Sequence, residues 1–425
     1  MLKRRIQRLV CLLLAAWLTP IGFASAGQAD AETGASEKLV LHIDFASFLK
    51  ESFRVSPDVK RAAHLGQTES GWHVVVDGRR AGPYDGIALS LTFSPDSRQL
   101  AFIAQAGDEQ FVVLDGVEGK RYSGIGTAPV FSPDSQRMAY VAEKDGQWVL
   151  VLDGKEGKPY DGIGTAPVFS PDSRRVAYVA EAEGSWFVVL DGEEGRRYEG
   201  VGTAPIFSPD GHRIAYLAKS GGRWVVVVDG REGESYEGIT SPPVFSPDGK
   251  RVAFGAGRDG RQFLVVDGKE GKAHEAICTP PIFSPDGKHV AYGVRQGTKC
   301  TVVTDGVAGK PYDEVGAAPV FSPDSKRVAY GVRRGKEWLV VADGVEGKPY
   351  EGVGSPPVFS PDSRHLAYGA NVGRKRFVVL DGNEGKEYDD VVSMGGGRIV
   401  FDSDSRYHYL ALKGDDIYLV DVTMK

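Results

Sequence analysis

Cysteine is nearly missing from this chain of 425 residues, which holds three: Cys11, Cys278 and Cys300. So few thiols exclude a disulfide-stapled framework and a cysteine metal cluster. Cys278 and Cys300 are expected on strands that are not neighbours, as two unpaired buried thiols. The histidines His42, His64, His73, His212, His274, His289, His365 and His408 are scattered at non-equivalent places. His64 and His73 fall on adjacent strands, but no third ligand accompanies them. Neither a G-x-S-x-G elbow nor an H-E-x-x-H pair occurs. No catalytic residue, metal or cofactor is therefore expected. Long apolar runs are missing beyond residue 26, and so is sustained helical periodicity, with one short helical turn expected over 46–52.

Positive charge is also short. Residues 1–26 read as a secretory signal: Lys3, Arg4, Arg5 and Arg8, then the apolar Leu9–Leu18, then Ala24-Ser25-Ala26 for cleavage. Pro20 and Gly22 interrupt the run before it reaches the ~20 residues of a membrane span. Removing it leaves 51 − 4 = 47 basic against 57 acidic residues, a net charge of −10. That sign argues against a nucleic-acid surface. Residues 27–37 are read as a tail, and 38–425 as one repeat domain in a periplasmic or secreted protein without a stable membrane span.

What the chain has is repetition. Phe-Ser-Pro-Asp recurs every 38 residues, at Phe93, Phe131, Phe169, Phe207, Phe245, Phe283, Phe321 and Phe359. Val55-Ser56-Pro57-Asp58 precedes the series and Phe401-Asp402-Ser403-Asp404 ends it, 42 residues after Phe359. Ten units at such a period are supersecondary pieces that bury their cores against one another. One unit reads as four strands: a over 128–132, b over 137–143, c over 148–152 and d over 158–163. Pro-Asp-Ser, Lys-Asp-Gly and Asp-Gly turns separate the first three pairs. Strand c is apolar on both faces, so each sheet must be covered on both sides.

The expected fold is all-β, a β-propeller of about ten four-stranded blades in one ring, with two tandem five-bladed propellers as the alternative. Prolines such as Pro129 and Pro167 mark strand a as the channel edge, since proline cannot donate to a ladder. The last unit lacks strand d, and residues 38–45 are expected to supply it.

The motif Phe207–Gly211, followed by Ala215-Tyr216, resembles the WD-like repeat of periplasmic TolB-type propellers. The resemblance implies the fold, and a family of scaffolds, binding proteins and peptidase-associated propellers. TolB-type proteins also carry an N-terminal α/β domain and fewer blades, which this chain does not match.

Residues repeated in every unit are expected to serve architecture. The Asp77, Asp115 and Asp153 series reads as a turn device, and Trp72, Trp148, Trp186, Trp224 and Trp338 as packing between blades. Function is expected where units differ, in the b–c turns. Early turns are acidic (Asp108, Glu109, Glu143, Asp145, Glu181, Glu183) and later ones basic. The expected binding residues are Arg258, Arg295, Arg333, Arg334, Arg374 and Arg376, facing a protein or envelope-polymer partner. The alternative is a propeller enzyme of lyase, lactonase or cyclase type with its site at the central channel.

Overall fold

The computed structural model describes residues 34–43, 48–316, 318–354, 356–392 and 397–424. The signal (1–26) and tail residues 27–33 lie outside the described residues. Among the described residues every element is a strand, and no helix is long and apolar enough to cross a membrane. Phe48–Val55, where a helical turn was expected, is strand a of the first blade. Its pairing with Ala62–Thr68 outweighs local preference.

The strands form ten antiparallel sheets, each ordered a-b-c-d. In blade 3, strand b is Met138–Lys144, c is Gln147–Leu152 and d is Lys155–Tyr160. Strand a is split into Gly124–Ile125 and Val130–Phe131, both on b. Strand d thus starts earlier than the sequence suggested, and residues 162–163 belong to strand a of the next blade. The cause is the c–d turn: Asp153 and Gly154 both have positive φ, 52° and 76°, so strand d pairs at once. Strand a bonds only to b, which leaves the recurrent prolines on a free edge.

Ten apolar clusters fill the gaps between consecutive blades. Ala139, Leu150 and Tyr160 of blade 3 meet Phe169, Tyr178 and Phe187 of blade 4. The tenth joins Leu410, Ile417 and Leu419 of blade 10 to Phe53, Val59 and Ala62 of blade 1. Leu217 and Tyr236 of blade 5 likewise pack on Phe254 and Phe263 of blade 6. The chain is therefore one ring of ten, and not two rings of five.

Closure uses the N-terminal strand. Ala35–His42 pairs antiparallel with Asp416–Val422 and becomes strand d of blade 10. Even its chemistry follows the repeat. Glu156 opposes Val151 and takes Lys120 of the preceding blade. Glu37 opposes Val420 and takes Lys386 at 3.0 Å and the Tyr388 hydroxyl at 2.8 Å. Closing the ring also hides a sheet edge that would otherwise invite foreign strands.

Candidate functional site

Antiparallel order places a–b and c–d turns on one side of the disc, and b–c and d–a turns on the other. The two sides use their charges differently. On the a–b/c–d side, Asp153 Oδ1 accepts the Met138 amide at 3.0 Å. Its Oδ2 accepts Arg137 Nε–H at 3.0 Å. The same guanidinium donates to the Ser173 and Arg174 carbonyls of blade 4 and lies 5.5 Å over the Phe169 ring. This Arg–Asp–Phe latch recurs from Arg61, Arg175, Arg213, Arg251 and Arg327. His289 and His365 take the arginine's place at Asp305 and Asp381. The aspartate series is thus a turn device, as expected, and also a link between blades. A second link runs from the amides of Asp58, Asp96 and Asp134 to the hydroxyls of Ser97, Ser135 and Ser173 in the following blade.

The b–c side holds its turns differently. Each is a tight two-residue turn, and in blades 2 and 4–10 a carboxylate from the adjoining d–a link accepts an amide at its tip; in blade 3 that position is Ser123, whose hydroxyl donates to the Glu143 carbonyl instead. Asp161 holds Glu183, Glu275 holds Gly297, Asp313 holds Gly335 and Glu351 holds Gly373, at 2.6–3.0 Å. The variable side chains therefore stand on fixed supports. All six expected binding arginines lie on this side. Arg258 is half-buried, paired with Glu270 at 3.0 Å and set over the Tyr236 ring. Arg333 pairs with Glu314 at 2.9 Å and Arg334 with Glu346 at 2.8 Å. Arg376 lies 4.0 Å from Asp390. Arg295 and Arg374 are exposed and make no ion pair with a described residue. Sequence placed these six on one rim. It did not show that four are already engaged by carboxylates.

Three places break the repeat and were missed. In blades 3, 4, 5 and 8 the strand-c tryptophan lies against a glycine of strand a. A Cβ on Gly126 would sit 2.6 Å from the Trp148 ring. In blade 9 that tryptophan is Arg376, and Gly354 meets nothing within 4 Å. The missing ring leaves a cavity of about 140 Å³, lined by Gly354, Arg376, Asp390 and Arg398 among others. Burial pushes the Asp390 carboxyl above its usual range, and Arg376 opposes that only in part. In blade 7 the same glycine–tryptophan pair is Cys278 and Cys300. Their strands are not hydrogen-bonded neighbours, as expected, and both thiols are free. They nevertheless pack in one cluster. Burial, then the Cys300 thiol, pushes Cys278 up to about 12. The third break is at the seam: His408, buried between blades 10 and 1, bonds Asp402 at 2.7 Å and the Asp58 carbonyl at 2.9 Å.

No family model and no curated protein matches the chain. Solved structures similar to it include β-propellers. TolB from Acinetobacter baumannii is 19% identical over 51% of this chain and 65% of its own, with a TM-score of 0.29. The chain thus spans just under two thirds of that protein's length. The propeller domain of the Trilobed protease from Pyrococcus furiosus, described as having an open velcro topology, is 16% identical over 62% and 94%, with a TM-score of 0.32. Hydrazine synthase from Kuenenia stuttgartiensis is 18% identical over 60% and 95%, with a TM-score of 0.28. Superposition at this level adds nothing to the fold, which rests on the sheets, the clusters and the closing strand described above.

Proposed function

We propose that the chain is an exported, non-enzymatic propeller that binds a protein or envelope polymer through its b–c side. One observation carries the reading. The repeated Arg, Asp and Ser groups of the a–b/c–d side are consumed by links between blades, whereas the b–c side holds turns, most of them pinned, whose side chains vary around the ring. Acidic tips such as Asp108 and Asp145 belong to blades 2 and 3, whereas the basic Arg295, at the end of strand b, and Arg374, at a tip, belong to blades 7 and 9. That segregation orients an approaching partner of mixed charge. Arg295 and Arg374 are the contacts of choice, because no internal ion pair must break first. The signal-like residues 1–26 support a periplasmic or secreted setting.

The test is the double variant Arg295→Glu/Arg374→Glu, compared with the unaltered protein as an immobilised bait in envelope extracts. Bands retained by the unaltered protein should fall at least tenfold, with an unchanged melting temperature. Equal retention by both baits overturns the assignment of this rim.

A further inference from the structure

The seam between blades 10 and 1 departs from the repeat at three positions together. Where the other nine blades have a buried serine (Ser56, Ser132), blade 10 has Asp402. Where they have a fully buried alanine, such as Ala139, it has His408. Opposite that residue on strand c, Leu114, Leu152 and Leu380 stand in blades 2, 3 and 9, and Asp421 stands here. The three donor atoms lie within 4.8 Å of one another.

The hydrogen bonding says what this trio faces. His408 Nε2 sits 2.9 Å from the Asp58 carbonyl, which can only accept, so Nε2 carries a hydrogen. When the ring is neutral, Nδ1 presents its lone pair to the Asp402 carboxylate, 2.7 Å away, with Asp421 alongside. A lone pair and two carboxylates converging on one point require a cation between them. We propose that this seam binds one divalent metal ion of the zinc or manganese class, through His408 Nδ1, Asp402 and Asp421.

Imidazole nitrogen with two carboxylates suits such metals better than calcium or magnesium, which prefer oxygen alone. A backbone carbonyl holding the far nitrogen is the usual outer support of a metal-bound histidine. Metal–ligand lengths of about 2.0–2.2 Å require the His408 and Asp402 donors to separate by roughly half an ångström. Asp402 is exposed and Asp421 half-buried, so the ion can enter and keep an open ligand position. The bound ion fixes the ring that holds Asp58, and so tightens the junction at which the propeller closes.

Calorimetric titration of chelator-treated full-length protein with Zn²⁺ tests this. One ion per chain is expected, with a raised melting temperature. His408→Ala and Asp421→Leu put in residues the repeat itself uses there, so both should fold, and both should weaken binding at least a hundredfold. His365→Ala removes an exposed histidine–aspartate pair in blade 9 and should leave the stoichiometry at one. Absence of saturable Zn²⁺ binding by the unaltered protein overturns the proposal and leaves a proton as the cation. Undiminished binding by His408→Ala, or tighter binding of Ca²⁺ than of Zn²⁺, overturns it equally.

Discussion

Leu41 is the residue through which the closing strand can be tested. It is 2% exposed and packs with Phe53, Val59, Leu410 and Ile417 across the seam. Leu41→Ala removes three carbons from a filled site, and fully buried leucines lose about 3–5 kcal/mol on this change. The seam has neighbours that can partly collapse, so the lower figure, about 3 kcal/mol, applies. That corresponds to roughly two decades in the local opening equilibrium, because each 1.4 kcal/mol is tenfold. Native-state hydrogen exchange is the assay, since it resolves sub-global opening. Amides of Asp416–Val422 that bond the closing strand should exchange about a hundredfold faster, while those of strands b and c in blade 5 change far less. The matched control is Leu264→Ala, at the junction of blades 6 and 7. It should leave the seam amides at their original rates. Unaltered exchange at Asp416–Val422 in Leu41→Ala would refute the claim that the N-terminal strand holds the ring shut.

Further outcomes follow from the same geometry. Gly126→Ala forces a methyl against the Trp148 ring and should destabilise by about 1–3 kcal/mol, whereas Gly354→Ala, at the equivalent place beside Arg376, should change stability by less than about 0.5 kcal/mol. Paired melting curves decide this. Arg213→Ala removes donors to Asp229 and to the Gly249 and Lys250 carbonyls. About 1–2 kcal/mol should be lost, with the urea midpoint lowered and the slope unchanged; Lys at 213 should recover little, having no fork. The carboxyls of Asp96, Asp134, Asp172, Asp210, Asp248, Asp286, Asp324 and Asp362 are all held below the usual aspartate value by a serine hydroxyl, then by a backbone amide. A depressed native value means that the unfolded chain binds more protons in that range. Stability is therefore complete above the ordinary aspartate value and falls as pH drops through the native ones. Melting temperature should fall steeply below about pH 4, and a flat profile between pH 5 and 3 would contradict this.

The ring was legible because each unit states the same few constraints. Asp-Gly fixes a primed turn, proline fixes an edge, and a doubly apolar strand c demands sheets on both faces. Strand d and the start of strand a were misplaced because Asp153-Gly154 lets pairing begin immediately, a consequence of positive φ rather than of hydrophobic pattern. The rim charges could be seen, but not their engagement. Arg333 meets Glu314 across strands a and b, a pairing that sequence spacing alone does not reveal. The seam cluster was hidden by register. Phe131 pairs with Met138, seven residues on, but Phe401 pairs with Tyr407, six on. Counting from the phenylalanine therefore puts His408 at the wrong repeat position and conceals that it replaces an alanine.

The closing strand brings the two described ends of the chain side by side: the Thr423 amide donates to the Gly34 carbonyl at 3.3 Å. A short peptide could join them without moving either. New termini could then be cut at a link such as 199–200, between blades 4 and 5, where every sheet would be built from contiguous chain. Such a circular permutant would retain the ring but lose the dependence of its last blade on its first strand. It would separate what holds the disc together from the order in which its pieces are made.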